Sequence, residues 1–391
     1  MSQRLRQAAT ILALLLLGSA VGAQELLWEA RAGFRDFGPI AVVDGVVVSG
    51  PPNGDRGLVG IDAASGRILW RAKGQVASGP AGDGRHVYAA VRVDQLVHRV
   101  IALDAKTGKQ LWAAEGERWG GASRVHVADG RVFVVGLDGK ARAFDAATGK
   151  LLWTFTYSPG KGYCPTDIAS ADGRVYFGGG ESAHPRSQGV NLWALDAATG
   201  QEVWHYALKP ERYSRIGECV QAPAVANGIV ALTGSNLILG LDAASGQVLW
   251  QQAVLGVVDG FERRRPLSAP HIADGRVYAI YEEGLAGWDL ATGARVLSFD
   301  GRFPPAERIR RIESADGRLY FTANFEQPEA SRNRQGFLYA LDLASGKVAW
   351  SHRVNRPSQY SDPDTWPTSE FTLDRDAIYY ENFQFLAKLR R

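Results

Sequence analysis

Two histidines and a carboxylate recur at one position of the chain's repeated segments and could bind a metal ion. His126, His271 and Glu313 each lie three residues before an Asp-Gly dipeptide. Imidazole nitrogens and carboxylate oxygens are zinc ligands in proteins, but they must converge on a single point. The three residues belong to different repeats, so their meeting depends on how the repeats are arranged.

A second set of charged residues lies two positions earlier in the same kind of segment. Arg124, Asp167 and Arg311 each precede an Asp-Gly dipeptide by five residues. We expect both sets to line one channel as hydrogen-bonded polar residues, because His126 comes from a repeat distant from those of His271 and Glu313. No Ser–His–Asp arrangement, phosphate-binding glycine loop or paired-carboxylate motif has the spacing that its chemistry needs. The sequence therefore predicts no catalytic residue and no metal site.

The elements that carry these residues are organised by a ten-residue signature: an Asp, small residues, a Gly and, four residues after the Gly, usually a Trp. Consecutive signature Asp residues are 41 to 53 residues apart. A period of this length with strand-like patterns predicts a β-propeller. The seven copies are Ile61–Trp70, Leu103–Trp112, Phe144–Trp153, Leu195–Trp204, Leu241–Trp250, Trp288–Leu297 and Leu341–Trp350.

One repeat, Ala122–Trp153, shows how a blade of the propeller is built. Four runs of alternating apolar residues are separated by Gly-containing turns, which predicts four antiparallel strands. In the signature turn, the Asp side chain accepts backbone N–H groups and the Gly adopts the left-handed conformation, so these Asp residues are turn formers. The final aromatic ring then covers the seam with the next blade. This docking role falls to Trp28, Trp70, Trp112, Trp153, Trp204, Trp250 and Trp350, with Leu297 in the remaining place.

Both ends of the chain contribute to one further blade. The last unit, Glu370–Arg391, supplies three strands without a Trp strand, and the segment around Trp28 supplies a Trp strand without the three before it. Joined, they complete the ring and leave no exposed sheet edge between the chain ends. The sequence therefore predicts an all-β fold: one eight-bladed β-propeller over residues 24–391, with four-stranded antiparallel blades closed by the N-terminal strand on the C-terminal blade.

Residues 1–23 have the pattern of a cleaved secretory signal. Arg4 and Arg6 precede the apolar stretch Ala8–Leu17, and Val21–Ala23 offers small residues for cleavage. The stretch is too short to span a bilayer, and no Cys lies near the cleavage position to accept a lipid. We therefore expect a free periplasmic or secreted protein without a membrane span. Cleavage lowers the formal net charge from +3 to +1, which argues against general polyanion binding.

The two cysteines occupy equivalent positions in adjacent repeats. Cys164 and Cys219 each lie eight residues before a turn dipeptide, Asp172-Gly173 and Asn227-Gly228 respectively. Neighbouring inner strands come close enough for a disulfide, and an oxidising compartment favours one. We expect this bond to tie blades four and five together; two separate buried thiols are the alternative.

Long connections between blades combine arginines with aromatic residues. All connections from the fourth strand of one blade to the first strand of the next emerge on one face, which we call the rim face. Because Arg, Tyr and Trp are enriched in interface hot spots, we expect a partner to bind here; solvated loops with internal ion pairs are the alternative. The candidate residues are Arg118, Trp119, Tyr213, Arg215, Glu218, Arg263, Arg264, Arg265, Arg308, Arg310 and Arg311.

The signature itself resembles the tryptophan-docking motif of proteins with pyrroloquinoline-quinone (PQQ)-type repeats, over essentially the whole chain from residue 24. The dehydrogenase branch of that superfamily implies PQQ and calcium over the axis, with PQQ stacked on a ring of adjacent cysteines. Cys164 and Cys219 depart from that pattern, being 55 positions apart. The scaffold branch, typified by the BamB-type component of the outer-membrane β-barrel assembly machinery, implies partner binding through a loop that Tyr213–Pro223 resembles, with Arg215 and Glu218 as the matching residues.

Three functions follow from these observations. The first is a monomeric, non-catalytic scaffold that resembles the BamB-type component, binds cell-envelope proteins such as the β-barrel assembly machinery, and needs no cofactor. The second is a quinoprotein-like enzyme or cofactor binder that uses PQQ and calcium. The third is a propeller that binds nucleic acid or another polyanion through the rim face, for which strong salt dependence would be the mark.

Overall fold

The protein is described from a computed structural model, in which no helix of the described residues is long and apolar enough to cross a membrane. The described residues are 24–31, 38–50, 57–94, 97–121, 123–157, 166–180, 190–208, 221–234, 237–253, 257–258, 261–262, 268–281, 284–299, 306–308, 311–325, 335–354, 370–382 and 385–391.

Eight four-stranded antiparallel blades form the molecule, as the sequence predicts. The first strands of successive blades contact one another and therefore surround the axial channel. Blade 1 comprises Ala41–Val43, Val46–Ser49, Leu58–Asp62 and Ile68–Ala72. Blade 2 comprises Ala81–Gly82, His86–Arg92, Val97–Asp104 and Gln110–Ala113, extended by Gln75–Val76 and Glu117–Arg118. Blade 3 comprises His126–Ala128, Arg131–Val135, Lys140–Asp145 and Leu151–Thr156. Blade 4 comprises Ala169–Ala171, Arg174–Gly180, Val190–Asp196 and Glu202–Leu208.

The other four blades repeat this order. Blade 5 comprises Ala224–Ala226, Ile229–Gly234, Leu237–Asp242 and Val248–Ala253, and is followed by a hairpin of Val257–Val258 and Phe261–Glu262. Blade 6 comprises His271–Ala273, Arg276–Tyr281, Gly284–Asp289 and Arg295–Phe299. Blade 7 comprises Ile312–Ala315, Arg318–Phe325, Gln335–Asp342 and Lys347–Val354, with Ala306–Arg308 added beside its second strand. Blade 8 comprises Phe371–Leu373, Ala377–Asn382, Phe385–Arg390 and the N-terminal strand Leu26–Arg31.

The ring closes through blade 8, which confirms the predicted sharing of one blade by the two ends of the chain. Leu26–Arg31 pairs antiparallel with Phe385–Arg390, so that Leu26 lies opposite Leu389 and Arg31 opposite Phe385. The strand pair takes the place of the covalent turn that joins the third and fourth strands elsewhere. Closure therefore depends on backbone hydrogen bonds rather than on chain connectivity.

The signature turn is stabilised by its Asp, as the sequence predicts. In blade 3, Asp145 Oδ1 accepts the Thr148 backbone N–H at 2.8 Å and the Thr148 hydroxyl at 2.7 Å. The hydroxyl hydrogen bond from Thr148 is the main reason why the pKa of the Asp145 carboxyl is lowered. Gly149 follows with φ +74°, in the left-handed region. The same carboxylate contacts recur at Asp62, Asp104, Asp196, Asp242, Asp289 and Asp342.

The seam between blades is a contact between one outer-strand indole and the signature turn of the next blade. Trp153 Nε1 donates to the Ala197 carbonyl at 3.1 Å, and its ring lies so close to Gly200 that a Cβ there would approach it to 2.5 Å. The signature Gly therefore provides both a left-handed conformation and a flat surface for the ring. The indoles that donate in this way are Trp28, Trp70, Trp112, Trp153, Trp204 and Trp250.

Replacing Gly200 by Ala should destabilise the protein more than the same change at Gly173. Both glycines have φ +71°, so each substitution costs about 1–2 kcal/mol in backbone strain. Nothing lies within 4 Å of a Cβ at Gly173, whereas a Cβ at Gly200 meets the Trp153 ring. The overpacking adds about 1–3 kcal/mol. Urea unfolding followed by tryptophan fluorescence measures the difference; equal losses in the two variants would contradict this account of the seam.

Candidate functional site

The channel is crossed by an ion pair between inner-strand residues of distant blades. Arg124, just before the first strand of blade 3, places Nη2 2.7 Å from Glu370 Oε2, just before the first strand of blade 8. Because blades 3 and 8 are not neighbours in the ring, this contact spans the opening. Both residues lie where a connection on the rim face enters the first strand. The charged contact is therefore at the rim-face end of the channel.

Three more charged residues extend this contact into a network, which we call the axial bar. Arg311 of blade 7 places Nη1 3.2 Å from the same Glu370 oxygen and Nε 2.6 Å from Glu313 Oε1. Asp167 of blade 4 accepts the Arg124 backbone N–H at 2.9 Å, and its other oxygen lies 3.6 Å from Arg124 Nε. Two guanidiniums and three carboxylates thus leave one formal negative charge. The structure brings together Arg124, Asp167, Arg311 and Glu313, all of which the sequence had singled out.

Glu370 is the member of the axial bar that the sequence analysis missed. It has the same register as Arg124, since Thr372 pairs with Tyr379 as His126 pairs with Phe133. In blade 8, however, the turn after the first strand is Asp374-Arg375-Asp376 rather than Asp-Gly. Counting back from an Asp-Gly dipeptide therefore does not reach it. Glu370 is found instead by aligning the first two strands of blade 8 with those of blade 3.

Because Glu313 is largely buried, the pKa of its carboxyl depends on the groups that it contacts. Glu313 has a side chain only 17% exposed, and burial raises the pKa of its carboxyl, while the charge of Arg311 acts in the opposite direction. Glu313 Oε2 also accepts the Leu373 backbone N–H at 2.8 Å. The buried carboxylate is therefore satisfied by one guanidinium and one amide. Its oxygens are committed to partners within the protein.

The two channel histidines form equivalent hydrogen bonds between blades, at separate places. His126 Nε2 and Ser170 Oγ are 2.8 Å apart between blades 3 and 4, and His271 Nε2 and Ser314 Oγ are 2.8 Å apart between blades 6 and 7. Burial lowers the pKa of His126. Burial and then the charge of Arg311 lower the pKa of His271 to about 4. The neutral form of both imidazoles is thus favoured at pH 7, and each is hydrogen-bonded to a serine of the next blade.

Trp119 is a correction to the predicted rim surface. The sequence places its ring on the exposed face, but the ring is fully buried, stacked on His98 at 6.2 Å between centroids. The cause is Glu117–Arg118, which pairs with Val97–Asp104 and folds the connection back over blade 2. This pairing leaves the Arg118 side chain exposed while it turns the next residue inwards. Trp119 therefore cannot present its ring to a partner.

A buried arginine beneath this connection was also missed by the sequence analysis. Arg142, on the third strand of blade 3, is 1% exposed. Its Nε and Nη2 lie 2.9 and 2.7 Å from Glu117 Oε2, and its Nη2 lies 2.5 Å from Asp138 Oδ2. The guanidinium carbon is 5.2 Å from the centre of the Trp119 ring. The available signal was an arginine flanked by alanines inside the strand KARAFD.

The remaining rim predictions divide between the channel and the part of the chain that is not described. Arg311, also predicted for the rim surface, belongs to the axial bar, where its guanidinium is committed to Glu313 and Glu370. Arg308 lies on a described strand, Ala306–Arg308, but its side chain is outside the described set. Outside the described residues lie Cys164, Tyr213, Arg215, Glu218, Cys219, Arg263, Arg264, Arg265 and Arg310.

Comparisons with known proteins place this arrangement among related propellers. The profile of the family described as "Outer membrane protein assembly factor BamB" matches residues 19–118, 54–231 and 97–352. A Yersinia pestis protein of that name is 24% identical over 270 residues, which are 63% of this chain and 58% of that protein. The chain thus matches less than two thirds of that relative's length. The crystal structure of BamB from Moraxella catarrhalis superposes with a TM-score of 0.65 at 15% identity, covering 94% of this chain and 100% of that chain, which supports the fold.

An enzyme is also among the similar proteins. A polyvinylalcohol dehydrogenase from Sphingopyxis sp. (strain 113P3) is 30% identical over 199 residues, which are 44% of this chain and 29% of that protein. Because this match covers a smaller part of both chains than the Yersinia match, it reports shared repeats more than a shared whole.

Replacing His271 by Gln should make stability less dependent on pH between about 6.5 and 4. The pKa of His271 is about 4 in the folded protein and about 6.5 in the unfolded chain. Protons therefore bind the unfolded chain preferentially in this window, so the free energy of unfolding of the wild type decreases as the pH is lowered. At pH 5 the loss from this group is at most about 2 kcal/mol. Urea unfolding at pH 7 and pH 5 measures it. Ser314→Ala keeps the imidazole and should keep the slope; an unchanged slope in His271→Gln would contradict the assignment.

Proposed function

Because the chain belongs to the family of the outer membrane protein assembly factor BamB, we propose that it is a non-catalytic scaffold that binds cell-envelope proteins, with the β-barrel assembly machinery as its partner. The observation that carries this proposal is the family match, which extends from residue 19 to residue 352 over successive blades. We place its action in the periplasm, in keeping with the predicted signal at residues 1–23. The rim face is the proposed contact surface.

Exposed charge on an ordered support favours the rim face for this role. Arg118 is exposed on a short strand that is paired to blade 2. The preceding residue, Glu117, is held by the buried Arg142. Neighbouring turns on the same face expose Val93 at 50% and Leu137 at 40%. Arginine is among the residues enriched in interface hot spots, and here it is carried on an ordered backbone.

A quinoprotein enzyme is the second candidate, favoured by the match to a polyvinylalcohol dehydrogenase. A planar quinone over the axis would have to occupy the place where Arg124 meets Glu370 at 2.7 Å. A calcium ion would need several free oxygen ligands, but both carboxylate oxygens of Glu313 and Oε2 of Glu370 are paired with guanidiniums or an amide. The residues at the axis therefore do not fit this cofactor pair, and we propose a scaffold instead.

Reversing the charge of Arg118 should weaken partner binding. We expect the tagged wild-type chain to recover β-barrel assembly proteins from a cell-envelope extract, and Arg118→Glu to recover at least tenfold less, about 1.4 kcal/mol in binding free energy. Arg67→Glu, an equally exposed change in a signature turn on the opposite face, should behave as the wild type. Quantitative mass spectrometry of the bound fraction is the readout. Recovery of no assembly protein by the wild type would contradict the proposed function.

Titration with PQQ and calcium chloride should give no saturable binding, because the axial bar occupies the axis. Absorbance of the quinone and quenching of tryptophan fluorescence measure it directly. As a control, Arg124→Ala removes one side chain from the channel and should not create a site, since the sequence has no two adjacent cysteines for stacking. Saturable binding of PQQ at a ratio of one per chain would favour the enzymatic alternative.

A further inference from the structure

The axial bar has an approximate two-fold pattern. Arg124 of blade 3 is four blades from Arg311 of blade 7, and Asp167 of blade 4 is four blades from Glu370 of blade 8. In a ring of eight blades, a separation of four places residues on opposite walls. The side chains of the axial bar therefore enter the channel from two opposite walls, blades 3 and 4 on one side and blades 7 and 8 on the other. At this level the other four blades carry small residues: Pro39, Gly79, Ala222 and Ala269.

Both arginines are anchored by acids other than Glu370. Asp167 contacts the backbone N–H of Arg124 at 2.9 Å and its Nε at 3.6 Å. Glu313 contacts Arg311 Nε at 2.6 Å and is itself held by the Leu373 amide at 2.8 Å. Each of these acids lies nearest the Nε of its guanidinium, while Arg124 Nη2 and Arg311 Nη1 face Glu370. Each guanidinium thus has an acidic neighbour besides Glu370.

Glu370 fills the space between the two guanidiniums. Its Oε2 lies 2.7 Å from Arg124 Nη2 and 3.2 Å from Arg311 Nη1. Charge-assisted hydrogen bonds from guanidinium to carboxylate are among the strongest polar contacts in proteins, and they are a preferred means of carboxylate recognition. The geometry of the pair is therefore that of a carboxylate receptor, and Glu370 is its internal ligand.

We propose that the arginine pair binds a carboxylate on an extended acidic segment of a partner, and that Glu370 occupies this site in the unbound protein. The inference rests on the proposed scaffold function and adds the chemistry of the partner. The site lies at the rim-face end of the channel, where the partner is expected. The residues beside the bar are small in the other four blades. Binding exchanges one carboxylate for another, so the guanidiniums stay paired throughout.

A fluorescein-labelled hexaglutamate peptide tests the site, with anisotropy as the readout. Glu370→Ala removes the internal competitor and should bind the peptide at least tenfold more tightly than the wild type. Glu25→Ala removes an exposed carboxylate that pairs with Arg390 at 3.0 Å, so it matches the change in charge and should bind as the wild type. Adding Arg124→Gln to Glu370→Ala should abolish the gain.

Thermal unfolding checks that the wild type and Glu370→Ala are both folded. Equal affinity of the two folded proteins for the peptide would overturn the proposal. Glu370→Gln serves as a second variant if the alanine variant does not fold, because it removes the charge and keeps the side-chain shape. Competition by succinate identifies the source of the carboxylate: displacement much weaker than by unlabelled hexaglutamate supports a polypeptide segment, whereas equal displacement overturns it. The titration contains no assembly protein, so its failure is distinguishable from a failure of the extract experiment.

Discussion

The ring is held together by one contact that is seen at six seams: an indole lying on a glycine of the next blade and donating to a carbonyl beside it. The contact is demanding, because a Cβ on that glycine would come within 2.4 to 2.8 Å of the ring. A single four-stranded sheet cannot bury either face alone, so the blades depend on these seams for their cores. At two seams a tyrosine on the second strand of the blade adds a donor to the same carbonyl, from Tyr88 to Ala146 and from Tyr176 to Ala243.

The seam also shows how the ring tolerates exceptions. Leu297 stands where other blades have Trp, and the carbonyl that an indole would reach, that of Leu343, lies 3.4 Å from Arg276 Nη1 instead. Tyr278, in the same blade, has no hydrogen-bond partner for its hydroxyl among the described residues. The Leu side chain still lies over the next signature glycine, since a Cβ on Gly346 would come within 3.3 Å of Leu297 Cδ1. The apolar part of the seam is thus kept where its polar part is lost.

Because the seams lie between the outer strands and the signature turns, the inner strands are free to carry charge. Burying charged groups stabilises a fold little in net terms, since desolvation offsets the attraction. The axial bar and the Arg142 cluster are therefore poor candidates for holding the fold together. Their effect is to give particular side chains one position: the arginine pair at the axis and Arg118 on the rim face. Both positions lie on the face that we propose for partner binding, and the axial bar is our reason for proposing a scaffold rather than a quinoprotein.

The sequence alone determined the repeat, the number of blades, their four strands and the closure by both chain ends, because each depends on local turn chemistry repeated at a constant period. Asp145 and Gly149 could be assigned to a turn from their neighbours in the chain. Four of the five residues of the axial bar could be named from their register, but that Arg124 of blade 3 meets Glu370 of blade 8 could not. That contact joins residues 246 positions apart, and only the diameter of the closed ring brings their side chains within reach. The burial of Trp119 and Arg142 also depends on tertiary structure. A short strand pairing turns the Trp119 ring inwards, and the buried guanidinium of Arg142 beneath it has no counterpart in the other repeats.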